Sequence, residues 1–408
     1  MARLVGRLIS QGLEAVRPNE FWWTKYSGAK LARYEAAWLS LDDVRLTRSD
    51  ARISAFIKPE KLLKNGDPRM IQARTIRYNC VLGKYLVPLE HQLYQLRRVP
   101  GFCSSDLPLV AKGLHLRRRA QVIQAKMERF GACYSLDLSR FDAHIAIPWL
   151  QVEHAVYLRA HGNHPELRKL LSWQLINRCY TRHWRYNSIG GRMSGDMNTA
   201  LGNCLLMLVM CCVAARRTGM RPDSFDLFID GDDTLVFTRH PGVKEWPAVF
   251  RRMGQELKLE GYTKSFHQVE HCRCRPVSTA RGVTMTQNPK RVIARSTAGV
   301  RHWQEQKFWQ AYLGLLGTCE LALSAGLPVL QEYALMLLRW SQGKRPRRWV
   351  YLERWCKVAR ELREFDPVPL PITPEARATM WEAWDICPAE QRALEASFRA
   401  ARMPWDAT

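Results

Sequence analysis

Residues 226–237, DLFIDGDDTLVF, set two apolar runs of β-branched and aromatic residues on either side of Asp230, Gly231, Asp232 and Asp233. Such a pattern predicts a β-hairpin whose tight turn carries the carboxylates, with Gly231 supplying the backbone freedom. An ordinary Asp-Gly turn gives the same pattern, so the carboxylates need company before they imply chemistry. They have it in SLDLSRFDAH, residues 135–144, where a strand-like run delivers Asp137 at its end and Asp142 beyond a turn. A carboxylate from each segment would suit a two-metal site, in which paired Mg²⁺ ions about 3.5–4 Å apart hold the attacking and leaving oxygens of an in-line phosphoryl transfer. Mg²⁺ takes hard oxygen ligands and keeps several waters, so two or three carboxylates suffice. Taken alone, Asp137 and Asp142 read more plainly as a helix cap and a turn residue.

A third segment, GGRMSGDMNTALGN at 190–203, combines a flexible loop that phosphate can approach with the start of a helix. Thr199 and Asn203, four residues apart, then share one helical face. The plainer reading is a Gly-rich loop capping a core helix. Cys272 and Cys274, with His267 and His271 nearby, raise the question of zinc, but no second cysteine pair follows at ligand spacing, and a hairpin with alternate residues facing one side fits better. RWSQGKRPRRWVYLERW, 339–355, interleaves Arg with Trp and Tyr, as a strand-tracking surface or an amphipathic helix beside a basic loop would.

The elements that must position these residues follow from periodicity and turn signals. ARISAFIKPE, 51–60, alternates like a strand, and Asn65-Gly66-Asp67-Pro68 marks a turn. Residues 110–130 read as a helix, Cys133 to Leu136 as a short strand ending at Asp137, and 149–180 as helical. From about Trp303 the chain is mostly helical and rich in Trp and Arg, with a break at Pro367 to Pro374. Residues 1–50 carry the aromatic cluster Phe21-Trp22-Trp23 and no chemical motif.

The chain has 408 residues, 47% hydrophobic and 25% charged, which places it with folded proteins and excludes the disordered class. Its formal charge of +24 calls for a polyanionic partner, nucleic acid or an acidic membrane surface. By segment the balance is +2 over 1–50, +11 over 51–130, +2 over 131–240 and +9 over 241–408. Eight Asp fall in the nearly neutral middle, which looks less like a basic tail than like a phosphate-handling channel around a metal site. The 12 cysteines are scattered and do not form a disulfide framework, so reduced thiols in a cytosolic setting are expected. No signal peptide is expected, and the longest apolar run, Cys204 to Ala215, is too short to span a bilayer and reads as a buried helix.

The order SLDLSRFDAH, then GGRMSGDMNTALGN, then IDGDD resembles motifs A, B and C of viral RNA-dependent RNA polymerases, most closely those of tombusvirus-like plus-strand RNA viruses. FIKPEK at 56–61 and DPRMIQARTIRYNCVLGKYL at 67–86 look like that group's basic F motif. GYTKSF at 261–266 and VEHCRCRPV at 269–277 are similar to motifs D and E. The resemblance covers roughly residues 51–290. It implies a helix-dominated α+β fold shaped as a right hand with a small antiparallel palm sheet. Fingers are then expected over 1–130 and 150–190, palm over 131–149 and 191–290, and a helical thumb over 291–408.

The resemblance also implies residue roles. Asp137 and Asp232 would be the principal metal-binding carboxylates and Asp233 an auxiliary one, with Mg²⁺ as the cofactor and Mn²⁺ as a substitute. Asp142, with Ser194, Gly195, Thr199 and Asn203, would meet the incoming nucleotide and read its 2′-hydroxyl. Lys58, Arg69 and Arg74 would line the entry path and neutralise the triphosphate, with Arg77 and Lys61 as weaker candidates. Lys264 would be the general acid to the leaving pyrophosphate. Asp230 stands where many relatives have Asn, which adds a negative charge beside the metals. The expected partners are RNA template and product, NTPs, and a viral replicase partner protein that brings the enzyme to host membranes. The expected location is the host cytoplasm, at membrane-associated replication complexes. The rival readings are a reverse transcriptase and a non-catalytic RNA-binding virion protein. Against the first, Asp142 and Asn203 are polar where a deoxynucleotide-selective site would favour a bulky apolar gate. The second rests on charge alone.

Overall fold

The computed structural model describes residues 1–10, 13, 18–59, 67–103, 105–296, 306–344 and 367–403. Lys61, the turn at Asn65-Gly66 and most of the Arg/Trp stretch at 339–355 lie outside the described residues. Contacts group the chain into two compact units, one of Met1–Lys58, Asp67–Gly113 and Lys126–Tyr262, the other of Pro59–Gly66, Leu114–Ala125 and Thr263–Thr408.

The first unit opens with α1 (Ala2–Ile9), α2 (Pro18–Lys25) and α3 (Gly28–Asp43), followed by strands β1 (Ile53–Ile57) and β2 (Met70–Ala73) and the long α4 (Ile76–Tyr94). The aromatic cluster packs here: Phe21, Trp22 and Tyr34 are buried with Cys80 and Val87 of α4. Gly83 admits the Phe21 ring, since a Cβ there would lie 2.5 Å from it. Next come α5 (Leu116–Phe130), whose residues up to Ala125 group with the second unit, then β3 (Cys133–Leu138), the single turn α6 (Phe141–His144), α7 (Ile147–Ala160) and α8 (Pro165–Ser172). The chain continues through β4 (Ile176–Tyr180), β5 (Arg185–Ile189), α9 (Thr199–Arg217), β6 (Asp226–Asp230), β7 (Asp233–Phe237), α10 (Trp246–Arg252) and β8 (Leu257–Thr263).

Two four-stranded sheets result, ordered β2-β1-β4-β5 and β6-β7-β3-β8. The expected strand over 51–60 is β1, the expected hairpin over 226–237 is β6–β7, and the strand ending near Asp137 is β3. The helix expected over 149–180 is corrected. It is broken between α7 and α8 and ends at Ser172, and Ile176–Tyr180 forms a strand paired antiparallel with Arg185–Ile189. In that stretch Ile176, Arg178 and Tyr180 are exposed while Asn177 and Cys179 are buried, an alternation of period two that a helix cannot satisfy.

Helix α9 explains why the second sheet folds. Almost every residue from Leu201 to Ala215 is buried, so a helix apolar on all sides becomes the core. It packs with β6, α4, α7 and α10. Among the described residues it is the one helix long and apolar enough to cross a membrane, and it is mostly buried inside the protein. Cys204, Cys211 and Cys212 on it, and Cys80, Cys103 and Cys133 elsewhere, are buried thiols outside any disulfide.

The second unit contains the hairpin β9 (Cys274–Thr279) and β10 (Gly282–Gln287) with helices α11 (Pro289–Ser296), α12 (Gln306–Ser324), α13 (Leu330–Trp340), α14 (Pro374–Trp384) and α15 (Pro388–Ala400). By packing, the hairpin belongs with these helices, although its motif puts it in the expected palm. Val277 of β9 is buried with Leu327, Met380 and Ala383, and the backbone N–H of Ser278 donates to Thr379 Oγ1 at 3.0 Å. Leu313, Leu316, Leu330, Tyr333 and Leu337 form the contact between α12 and α13. The expected break at 367–374 is present as extended chain that ends at the Thr373 cap of α14.

Candidate active site

The carboxylate turn is a two-residue hairpin loop, since Asp230 pairs with Asp233 across it. Gly231 has a φ of 77°, the left-handed value such a turn demands at its first loop position. β7 then pairs antiparallel with β3, in register Leu136↔Thr234. One residue further along, the same ladder sets Asp137 beside the turn. The sheet thus delivers carboxylates that are far apart in sequence to one end of two neighbouring strands.

Asp230 is buried, and its carboxylate pairs with the Lys112 ammonium. The backbone explains how Lys112 arrives there. The N–H of Ala111 donates to the Ile229 carbonyl at 2.8 Å and the N–H of Ile229 to the Leu109 carbonyl at 2.9 Å, so residues 109–111 run alongside β6. Asp232 is half-buried, and its carboxyl sits above the ordinary Asp value. Burial is the main cause, and the facing carboxylates of Asp142 and Asp137 add to it, while Lys112 and a backbone hydrogen bond pull the other way.

A carboxyl held above its ordinary value by burial and neighbouring acids offers hard oxygens that suit a divalent cation. Among the described residues no group of three or more His, Cys, Asp or Glu is gathered tightly enough to hold a metal by itself. Mg²⁺ does not require one, because it binds through one or two carboxylates and completes its shell with water and phosphate oxygens.

Asp142, on α6, accepts a hydrogen bond from Asn203 Nδ2 at 2.8 Å, so motifs A and B meet through side chains. The loop before α9 is clamped to the first sheet. Ser194 Oγ accepts from the Gln72 N–H and donates to the Met70 carbonyl, each at 3.2 Å, and the Gly195 N–H donates to the Gln72 carbonyl at 2.9 Å. Gly195 has no alternative, since a Cβ would lie 2.7 Å from that carbonyl and 2.9 Å from Ala73. Thr199 Oγ1 bonds back to the Met193 and Asp196 carbonyls at 3.0 and 2.9 Å, which closes the loop on itself.

Arg74 requires correction. Its guanidinium was expected on the nucleotide path and is instead buried, with Nε on Asp196 at 2.6 Å, Nη1 on the Ala51 carbonyl at 2.6 Å, and Nη2 on Asn177 at 2.6 Å and Asp196 at 3.2 Å. Burial alone would weaken its hold on its proton, but the Asp196 charge outweighs that and the pKa is raised. With its nitrogens engaged this way, Arg74 holds the motif B loop rather than a triphosphate. Arg77 is similarly engaged, by Asp50 at 3.0 Å and the Ser40 carbonyl at 2.8 Å.

Lys58 and Arg69 end the β1–β2 ladder, joined by a 2.8 Å backbone hydrogen bond from the Lys58 N–H to the Arg69 carbonyl. Both line a cleft of about 1290 Å³ that also touches Asp142, Ser194, Gly195, Thr199, Asn203, Asp230 and Asp232. The cleft thus gathers motif B, the motif C turn, Asp142 of motif A and the two basic residues of the β1–β2 turn region within the first unit. Lys264 is exposed and belongs to the second unit. His267 Nδ1 lies 2.9 Å from the Pro276 carbonyl, and His271 Nε2 lies 3.9 Å from Cys272 Sγ.

Sequence reasoning missed Lys112, Arg140 and Arg192, all of which line the cleft. Arg140 adopts a φ of 51°, an uncommon left-handed value for a side-chain-bearing residue, at the turn between Asp137 and Asp142. A lysine inside the apolar run LPLVAKGL was the available signal for Lys112.

The model of the family "Viral RNA dependent RNA polymerase" matches residues 3–406. The RNA-directed RNA polymerase of melon necrotic spot virus is 31% identical over 410 residues, covering 96% of this chain and 50% of that protein. That of oat chlorotic stunt virus (isolate United Kingdom) is 32% identical over 393 residues, with 87% and 50% covered, and that of turnip crinkle virus 33% over 335 residues, with 79% and 42% covered. The chain spans about half the length of the curated relatives it matches. With ordered carboxylate motifs on one cleft and a family match along nearly its whole length, the chain belongs to the viral RNA-dependent RNA polymerases.

Proposed function

We propose that the protein is an RNA-directed RNA polymerase that copies a plus-strand viral RNA genome from NTPs. The observation that carries the reading is the single cleft lined by Asp142, Asn203, Asp232 and the basic residues Lys58 and Arg69. In the proposed reaction the 3′-hydroxyl oxygen of the growing strand forms a bond to the α-phosphorus of a bound NTP, the bond to the bridging oxygen breaks, and pyrophosphate leaves. Asp137 and Asp232, with Asp233 as an auxiliary ligand, would hold Mg²⁺, or Mn²⁺ in its place. When bound, the metal supplies positive charge against the phosphates and makes the 3′-hydroxyl a better nucleophile. Lys58 and Arg69 would neutralise the triphosphate, the guanidinium fork suiting two-point phosphate contact. Asp142 and Asn203 would read the 2′-hydroxyl, with Ser194, Gly195 and Thr199 fixing the loop beside them. Positioning and charge neutralisation supply most of the acceleration in such a site.

The right-hand arrangement of fingers, palm and thumb is part of this proposal. So are Lys264 as general acid, a replicase partner protein, attachment to host membranes through it, and a place in cytoplasmic replication complexes. These rest on the resemblance of the motifs. The test is synthesis of labelled RNA by purified protein given template, NTPs and Mg²⁺. Product should depend on template, vanish with a chelator and fall sharply when dNTPs replace NTPs. Equal use of dNTPs would favour a reverse transcriptase. Tight RNA binding without incorporation at any metal concentration would favour a binding protein.

A further inference from the structure

Beneath Asn203 lies a buried ion pair that the reaction does not use directly. Arg192 donates from Nη1 to Glu153 Oε1 at 3.0 Å and from Nη2 to Glu153 Oε2, and the two side chains are 1% and 0% exposed. The third donor of the fork, Nε, points at Asn203 Oδ1 at 3.0 Å. Glu153 is itself held by Asn198 Nδ2 at 2.7 Å and the Tyr157 hydroxyl at 2.8 Å. The Arg192 N–H also donates to the Asp142 carbonyl at 2.7 Å. A closed ring runs from Asp142 through Asn203 and Arg192 back to Asp142.

The ring fixes an orientation. An amide side chain has one accepting end and one donating end, and arginine can only donate. Arg192 Nε–H therefore holds Oδ1, and the Asn203 NH₂ must face Asp142, which it meets at Oδ1. One Asp142 oxygen thereby accepts from the amide, and the second is left for a donor such as a hydroxyl.

The protein keeps this arrangement at a cost. Desolvating two charges offsets much of the attraction in a buried pair, so such pairs are poor sources of stability. α9 also carries Gly202 in its interior, which costs about 1 kcal/mol against alanine. The reason is visible, since a Cβ at Gly202 would lie 2.5 Å from Arg192 Nη2 and 2.6 Å from both Glu153 oxygens. Two unfavourable features meet at one point, and what they secure is the position of the Arg192 fork.

We propose that Arg192, pinned by Glu153, is a positioning residue for ribose selection: by fixing the Asn203 amide it presents Asp142 as the acceptor for the 2′-hydroxyl of the incoming nucleotide. The proposal rests on the polymerase reading above and deepens it. Its readout is the ratio of incorporation efficiencies for NTP and dNTP, which does not depend on what fraction of a preparation is folded. Asn203→Ala should lower that ratio directly. Arg192→Lys keeps the charge facing Glu153 but lacks the planar fork needed to hold Glu153 and Asn203 together. It should lower the ratio by about 3- to 10-fold, the worth of one orienting hydrogen bond. Glu153→Gln, which keeps the shape and removes the charge, should act in the same direction. Because Arg192 acts through Asn203, Arg192→Lys should cause no further fall in the Asn203→Ala background.

Wild-type ratios in both Arg192→Lys and Glu153→Gln, beside a lowered ratio in Asn203→Ala, would overturn the proposal and leave the polymerase reading standing. Independent, additive losses in the double variant would overturn it too. An unchanged ratio in Asn203→Ala would overturn the proposal alone, whereas a wild-type protein that makes no RNA would remove the polymerase reading and the proposal together.

Discussion

At the scale of single residues, the decisive feature is where each charge ends up. The placement of Asp137 and Asp232 was legible because hairpin and strand pairing are local consequences of alternation and of Gly231, and that of Asp142 because it follows Asp137 across a turn. Arg74 and Lys112 were not legible, because whether a basic side chain faces solvent or an acid depends on contacts made far along the chain. Arg74 finds Asp196, and Lys112 finds Asp230. The Lys112 pair answers the question raised by an extra acid before the GDD turn. Removing the ammonium leaves Asp230, whose side chain is 7% exposed, without that cation. Lys112→Met should therefore destabilise the protein by roughly 1–3 kcal/mol, less than a fully buried pair would, because the lysine is itself partly solvated. Adding Asp230→Asn to the same chain should recover most of that loss in thermal unfolding; an additive second loss would show that the pair does not matter.

At the scale of elements, period decides what can be read. α9 was evident from its unbroken apolar run, and β6–β7 from its flanking alternation. The alternation of β4 is masked in the sequence because Leu167, Leu170, Leu171 and Leu175 extend a helical period up to its edge, and two exposed apolar residues, Ile176 and Tyr180, suit either setting. A different element-level feature is Glu320 on α12. It is 3% exposed, with one carboxylate oxygen lacking a hydrogen-bond partner among the described residues, and burial raises its pKa to about 7. The folded state thus holds this proton more tightly than the unfolded chain, whose value is near 4.5. Stability contributed by the protonated form is complete below about pH 4.5 and is lost as pH rises towards 7. Glu320→Gln should flatten that decline, so that at pH 8 the variant exceeds the wild type by up to about 3 kcal/mol. Denaturant melts at pH 5 and pH 8 check this, and identical pH profiles would contradict it.

At the scale of the whole molecule, the net charge of +24 is a statement about distribution. The basic excess lies mainly outside 131–240, and that nearly neutral stretch holds eight Asp, among them those that line the cleft. In the first unit, Lys58 and Arg69 from the basic 51–130 segment line the same cleft as Asp142 and Asp232 from the neutral one. Composition alone revealed the polyanion but not this juxtaposition, which needs the sheet to bring strand ends together. If RNA is held mainly through phosphates, with about five contacts, its affinity should fall about 10²-fold between 50 and 200 mM salt. Filter binding across that range measures the slope, and a flat response would exclude phosphate contacts as the source of binding.

The polymerase reading meets its most direct test in templated RNA synthesis by Asp232→Ala beside the wild type, with RNA binding measured on the same preparations. The wild type should extend RNA in Mg²⁺, and the variant should bind RNA with similar affinity while losing at least about 10³-fold in incorporation. Undiminished synthesis by Asp232→Ala would contradict the assignment of the 230–233 turn as the catalytic centre.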